Sequence, residues 1–236
     1  MPLPESQYEI KAIHLQTEKR SGGDLSNPSW ILDRNLLDCQ SIKVKRATIP
    51  NSFYTIDARN NKLYLVVGTA ASSALTLSTG YYNDITMLSN LQTNVTGGYN
   101  WTLNTVSNTF SVSHTANSFS FTSGDNEANY ELGINTQSSN STQQNFDQMD
   151  LSGVKNIIIS SNISTLDIVG DQKKVLANIP CEVAPKGILQ FNDDSEDFIE
   201  LNSENLNEIN LRLYDERLRA LTVTKDWSTT LFIIKK

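Results

Sequence analysis

The last thirty residues, 207–236, leave this chain few folds to choose from. Ile209, Leu211 and Leu213 alternate with Asn210, Arg212 and Tyr214; a charged stretch follows, and Trp227 leads into the run Leu231, Phe232, Ile233 and Ile234. A period of two sends successive side chains to opposite faces of a sheet. The segment therefore predicts two closing strands with a charged connection between them, and a C-terminus that is itself part of a sheet.

The rest of the chain repeats that grammar. Short apolar-alternating segments stand at 8–15, 41–49, 61–67, 99–104, 109–115, 118–123, 154–160, 173–183, 186–192 and 198–202, separated by Gly, Asn, Asp and Ser. The phase of the first slips between Ala12 and Ile13, which reads as a bulge. Residues 16–40 read as a polar N-terminal loop. Val175, Ala177, Ile179, Cys181 and Val183 keep strict alternation with Pro180 in the opposite phase, so this strand is expected at an edge or kinked. One helix is predicted over 84–95, capped by Asn83 or Asp84, with Ile85, Leu88, Leu91 and Val95 on one face. Residues 99–149 are crowded with Ser, Thr, Asn and Gln and read as a polar, variable, outward-facing region, with a further short element at 130–135 and a loop at 136–148.

Strands and helices do not alternate along the chain, which argues against a doubly wound parallel sheet. The expected fold is all-β: a single jelly-roll β-sandwich with one short helix, one domain spanning 1–236. A length of 236 residues is enough for a core that needs no covalent staple. Cys39 and Cys181, far apart in sequence and each beside apolar alternation, are read as buried free thiols, with a disulfide between them as the alternative.

Charge and motifs narrow the function. With 26 acidic against 19 basic residues the net charge is −7, which argues against a dedicated nucleic-acid site. The opening residues lack the basic and apolar halves of a signal peptide, and no segment has the apolar length of a membrane span. No nucleophile elbow, phosphate loop or dinucleotide fingerprint is present. His14 and His114 stand apart with no ligand spacing, so no catalytic residue, cofactor or enzyme activity is expected.

Five sets of residues offer chemistry to weigh. Asp193, Asp194 and Asp197, with Glu196, crowd one turn and make a calcium candidate, although they lack the spacing and glycine of a helix–loop–helix calcium site. Glu9, Glu182 and Glu200 lie in or near strands, where two facing carboxylates would be needed for glycoside hydrolysis. Lys43, Lys45 and Arg46 form one basic set, and Arg212, Arg217 and Arg219 another; each suits a phosphate, an acidic neighbour or simply solvent. Tyr99, Trp101, Phe119 and Phe121 lie in the polar region, where they suit either sugar stacking or a core.

Four segments carry a resemblance. They are the corner Ile49-Pro50-Asn51-Ser52-Phe53-Tyr54, the triplet Gly80-Tyr81-Tyr82 entering the helix, the alternation Ile209-Asn210-Leu211-Arg212-Leu213, and Asp226-Trp227. Their order and spacing, across 40–95 and 150–236, resemble the penton or minor capsid proteins of polinton-like viruses, virophages and related large double-stranded DNA viruses. Family members often carry a glycine in the turn after the Asp of the closing alternation. This chain has none between Asp215 and Trp227.

The resemblance implies a single jelly roll in a virion capsid, assembled in the host cytoplasm or nucleus. It implies a homopentamer at the five-fold vertices, in contact with the major capsid protein and with spike or internal minor capsid proteins. Pro50, Asn51, Phe53, Tyr54, Arg217, Arg219 and Lys225 are the interface residues it points to. A capsid-decorating cement or spike protein is the alternative within the same class. A free carbohydrate- or receptor-binding module is the alternative outside it.

Overall fold

The computed structural model describes residues 8–136, 141–164 and 174–236. Along the chain, β1 (Glu9–Gln16), β2 (Ser29–Leu36) and β3 (Cys39–Pro50) come first. They are followed by β4 (Lys62–Val67), β5 (Ser73–Thr76), α1 (Asp84–Asn94), β6 (Tyr99–Asn104), β7 (Thr109–His114), β8 (Phe119–Thr122), α2 (Asn129–Leu132) and β9 (Gln143–Gln148). The chain closes with β10 (Asn156–Ser160), β11 (Val175–Pro180), β12 (Ile188–Asn192), β13 (Ile199–Glu200), β14 (Leu206–Asn210), β15 (Arg212–Tyr214) and β16 (Ser228–Lys235). It divides into two compact units, one made of 1–53 and 154–236 and the other of 54–153.

The first unit is a jelly roll. One sheet runs β1-β16-β3-β12, and the two-residue β13 prolongs the outer edge of β3. In the other, β2 pairs with β14, and β15 pairs with β10, which pairs with β11. Only Leu211 separates β14 from β15, so 206–214 acts as one broken strand and the order becomes β2-β14/β15-β10-β11. Numbering these eight principal strands along this unit gives 1-8-3-6 and 2-7-4-5, the two interleaved Greek keys of a jelly roll. The closing strands pair with β2, β10, β1 and β3 and never with each other.

Both sheets send alternate side chains into one core. Ile42, Val44, Ala47, Ile49, Leu231 and Ile233 come from the first sheet, and Ile157, Ile159, Leu176, Ile179, Ile209 and Leu213 from the second.

The phase slip in β1 is not a bulge. Its register with β16 is continuous from Glu9 to Gln16. Ile10 and Ala12 face outward, Ile10 being 56% exposed, while Ile13 and Leu15 face the core. The irregularities are in β3. Leu231 pairs with Val44 and Thr230 with Arg46, which leaves Lys45 as the extra residue. This bulge moves the core phase from Ile42 and Val44 to Ala47 and Ile49.

The supposed loop 16–40 contains β2, whose Trp30 is buried. Leu32 and Leu36 share the inward phase of Trp30 and pack against the core, and Asp33, Arg34 and Asn35 between them hide that alternation. β11 is an edge strand, and Pro180 is its last residue.

The second unit, 54–153, holds two three-stranded sheets, β5-β4-β8 and β6-β7-β9. α1 begins at a capping box: Asn83 Oδ1 accepts from Thr86 N–H at 2.8 Å, and Thr86 Oγ1 accepts from Asn83 N–H at 3.0 Å. Its buried face is Met87, Leu91 and Val95; Ile85 is 65% exposed, since it lies 200° around the helix from Met87. Thus Ile85 drops out of the face predicted from sequence. The short element expected at 130–135 is the helical turn α2.

The polar region 99–149 is part of this larger unit and contributes to its core. The loop expected over 136–148 includes β9, whose Gln144 and Phe146 are buried while Gln143 and Asn145 are exposed. Residues 137–140 of that loop lie outside the described residues.

Candidate assembly surfaces

The corner after β3 is built from a single asparagine. Asn51 N–H donates to Gly187 O at 2.8 Å, its side-chain amide donates to Val183 O at 2.9 Å, and its own carbonyl accepts from Lys186 N–H at 2.8 Å. Three hydrogen bonds bind the end of β3 to the connection between β11 and β12. Pro50 pairs in register with Ile188, and Phe53 is 5% exposed within the core. Of the four corner residues predicted as interface, only Tyr54 presents much surface, at 45%, stacked edge-on against Tyr81 at 4.9 Å.

Asp226-Trp227 is a second joint. The Thr17 hydroxyl donates to Asp226 Oδ1 at 3.0 Å and accepts from Trp227 N–H at 2.9 Å, with Thr17 wholly buried. Trp227 Nε1 donates to Leu25 O, and its ring meets Trp30 edge-on at 6.4 Å. The start of β16 is thereby tied to the β1–β2 connection. Thr17 sits in a polar stretch with no periodicity, so nothing in the sequence marks it out.

The connection 215–227 is partly locked on itself. Asp215 is fully buried; it accepts from the backbone N–H groups of Arg217 and Arg219 and pairs with Arg219 Nε at 2.8 Å. Arg219 is thus committed internally, whereas Lys225 is exposed. Leu218 takes the left-handed conformation, with φ +61°. That is where a glycine would be at ease.

Two of the sequence-derived sets meet and neutralise one another. Lys45 Nζ donates to Asp193 O at 2.7 Å and to Asp194 Oδ1 at 2.5 Å, and Lys43 Nζ reaches Ser195 O and lies 3.7 Å from Asp193 Oδ2. Lys43 also packs over the Phe198 ring. The turn proposed for calcium therefore already has two ammonium groups as its cations, and Lys43 and Lys45 of the basic set proposed for phosphate are spent on that turn.

Both carboxyls titrate below their ordinary range. For Asp193 desolvation pulls upward and is outweighed by hydrogen bonds from Ser195 and the Lys43 charge. For Asp194 the causes are its hydrogen bonds from Lys45 and Asn192. Asp197 stays out of this cluster, and among the described residues no group of three or more His, Cys, Asp or Glu is placed to hold a metal ion.

The remaining candidates resolve as structure. Trp101, Phe119 and Phe121 are each no more than 1% exposed and form, with Phe146, the aromatic centre of 54–153, so no sugar can stack on Trp101. His14 bonds Thr230 Oγ1, and His114 Nδ1 accepts from the N–H groups of Ala116 and Asn117 to fix a turn. Burial pushes the thiols of Cys39 and Cys181 up, the opposite of what a nucleophilic cysteine needs. Glu9, Glu182 and Glu200 are exposed to solvent.

One cavity on the jelly roll was not foreseen. It encloses about 460 Å³ and is lined by Asn27, Ser160, Asn162, Lys174, Arg212 and Tyr214, among others.

No protein-family model matches the chain, and no curated protein matches it. Among solved structures, the mavirus penton protein aligns over 98% of this chain and 100% of its own, at 13% identity and a TM-score of 0.48. The D2–D3 domains of the flagellar cap protein FliD from Escherichia coli align over 93% and 97%, at 13% identity and a TM-score of 0.24. Values of this size assign neither protein's role to this chain.

Proposed function

We propose that the chain is a structural capsid protein, the subunit of a homopentamer that fills the five-fold vertices of an icosahedral shell beside the major capsid protein. The observation that carries this reading is where the resembling motifs fall. The Ile49–Tyr54 corner, the 209–213 alternation and Asp226-Trp227 occupy joints of the eight-stranded jelly roll: the end of β3, the broken strand β14/β15, and the entry to β16. Residues that set the joints of a fold are the ones a structural family would share. A subunit whose product is a shell requires stable joints and a ring-closing side surface. Of the charged groups that could have carried chemistry, Lys43, Lys45, Asp193, Asp194 and Arg219 are instead consumed internally.

The vertex role is geometric. Five-fold units supply curvature that a hexagonal lattice lacks, and five subunits at each of twelve vertices give about 60 copies per particle by symmetry. A cement or spike protein would share the fold and differ in multiplicity. The sugar-binding alternative loses its principal contact with Trp101 in the core. Native mass spectrometry of the full chain tests the reading. A pentamer is expected; a dimer or trimer as the sole assembly would overturn it. In particle reconstructions, density for this chain away from the five-fold axes would transfer the role to a cement protein.

A further inference from the structure

The cavity at Arg212 opens on the outer face of the second sheet among the described residues. Tyr214 and Ile158 lie on the outward face of the second sheet, opposite the inward Ile157, Ile159 and Leu213. Arg212 shares the phase of Tyr214, and its guanidinium lies over the Tyr214 ring, 5.4 Å from the centroid. Stacking of this kind fixes the plane of the guanidinium and leaves its N–H fork pointing away. Arg212 forms no ion pair among the described residues. Around it stand Lys174, Asn27, Asn162 and Asn210, while the Ser160 and Ser161 hydroxyls are turned to the carbonyls of Lys174 and Asn210. Among the described residues no acidic side chain lines the cavity, so the ligand that fits the Arg212 fork is an anion, and a planar fork matches a carboxylate.

The same chain displays such carboxylates on its other side. The turn after β12 is fastened to Lys43 and Lys45, and Lys43 projects from the outward face of the first sheet, between the core residues Ile42 and Val44. Within that turn Asp194 is taken by Lys45, but Glu196 and Asp197 are exposed. Donor socket and acid turn thus lie on the opposite outer faces of one sandwich. A subunit cannot join them within itself, whereas a second copy can.

We propose that the Arg212 cavity of one copy receives the Glu196–Asp197 turn of the next. Unlike surfaces that meet head to tail form a heterologous contact, the kind that closes a ring. The proposal rests on the pentamer reading above and names the contact that closes it. It also gives the lysine clasp a purpose, since a carboxylate held on a rigid turn loses little freedom on docking.

Charge reversal tests it, read by native mass spectrometry and sedimentation. Arg212→Glu, and separately Glu196→Arg with Asp197→Arg, should each weaken assembly by about tenfold or more, the scale of removing one partner of a desolvated charge pair. All three substitutions in one chain should restore it. Arg212→Lys, which keeps charge but loses the fork, should fall between. Circular dichroism and melting of each variant separate lost contact from lost fold.

A wild-type pentamer that Arg212→Glu leaves intact overturns this contact and spares the vertex reading. Failure of the triple reversal to restore a ring that both partial variants break also overturns it. A wild-type chain that forms only dimers or trimers removes the vertex reading, and this contact with it. Saturable binding of inorganic phosphate at Arg212 in an assembled wild-type ring would show the cavity vacant of its neighbour and overturn the proposal.

Discussion

In the unit formed by 1–53 and 154–236 the buried side chains are mainly Ile, Leu and Val, with Trp30, Phe53 and Trp227 as the aromatics of its core. In 54–153 the core turns on Trp101, Phe110, Phe119, Phe121 and Phe146, helped by Met87 and Met149. A ring buries about 150–250 Å², roughly twice what a small aliphatic side chain does. A few rings therefore let a segment be polar at most positions and still enclose a core. That is why 99–149 looks coreless in sequence and is not. Aliphatic strands advertise themselves through period-two runs, while an aromatic core is spread thinly through Ser, Thr and Asn.

The sharpest way to break this comparison is to hollow out one core at a time. Phe121→Ala should cost about 3–5 kcal/mol and Ile159→Ala about 2–5 kcal/mol, since each leaves a cavity that rigid neighbours fill only in part. The two cores share no residue. Phe121→Ala should therefore raise amide exchange across 54–153 first, and Ile159→Ala across 8–53 and 154–236. A uniform rise across the whole chain from either variant would mean that the two cores melt as one.

What the sequence discloses follows from the same contrast. The strands β3, β10 and β16 and the helix α1 are legible because apolar residues are dense in each strand and recur at spacings of three and four in the helix. The strands β2 and β9 are hidden, because Asp33-Arg34-Asn35 in one and Gln143, Asn145 and Asp147 in the other dilute the inward residues. The Lys43–Asp193 clasp joins residues 150 positions apart, and pairing over that distance has no local signature. Corner and closing motifs were visible as words, but their work as joints was not. A hydrogen bond such as Asn51 to Val183 or Thr17 to Trp227 becomes apparent only when two distant strands are side by side.

A milder test uses acid and addresses the jelly roll alone. The folded pKa of Asp193 lies below its unfolded value, so its contribution is present above the unfolded pKa of about 3.9 and is lost as pH falls through the folded pKa. Its side chain is 25% exposed, which keeps the effect at about 1 kcal/mol or less. Melting temperature should therefore fall more steeply below about pH 4 in the wild type than in Asp193→Asn. Parallel acid limbs for the two proteins would remove the clasp from the account of the first unit's stability.

The smallest expected effect is at Leu218, where two terms of similar size oppose. A non-glycine residue in the left-handed region costs about 1–2 kcal/mol, so Leu218→Gly relieves strain. The relief is reduced because glycine gains more freedom in the unfolded chain. Leu218 also packs, half-buried, against the small outer cluster of Ile158, Val175 and Tyr214. Removing a half-buried leucine forfeits about 1 kcal/mol of apolar burial. The net change should lie within about 0.5 kcal/mol of zero, which explains how a leucine is tolerated in this turn. Gly133 in the other unit supplies the contrast. It also has positive φ, at +68°, but a Cβ there would run into the carbonyl of Asp147, so no side chain can be accommodated without moving backbone. A large gain in melting temperature for Leu218→Gly would show that the leucine's packing does not offset its strain, and a large loss would show the reverse.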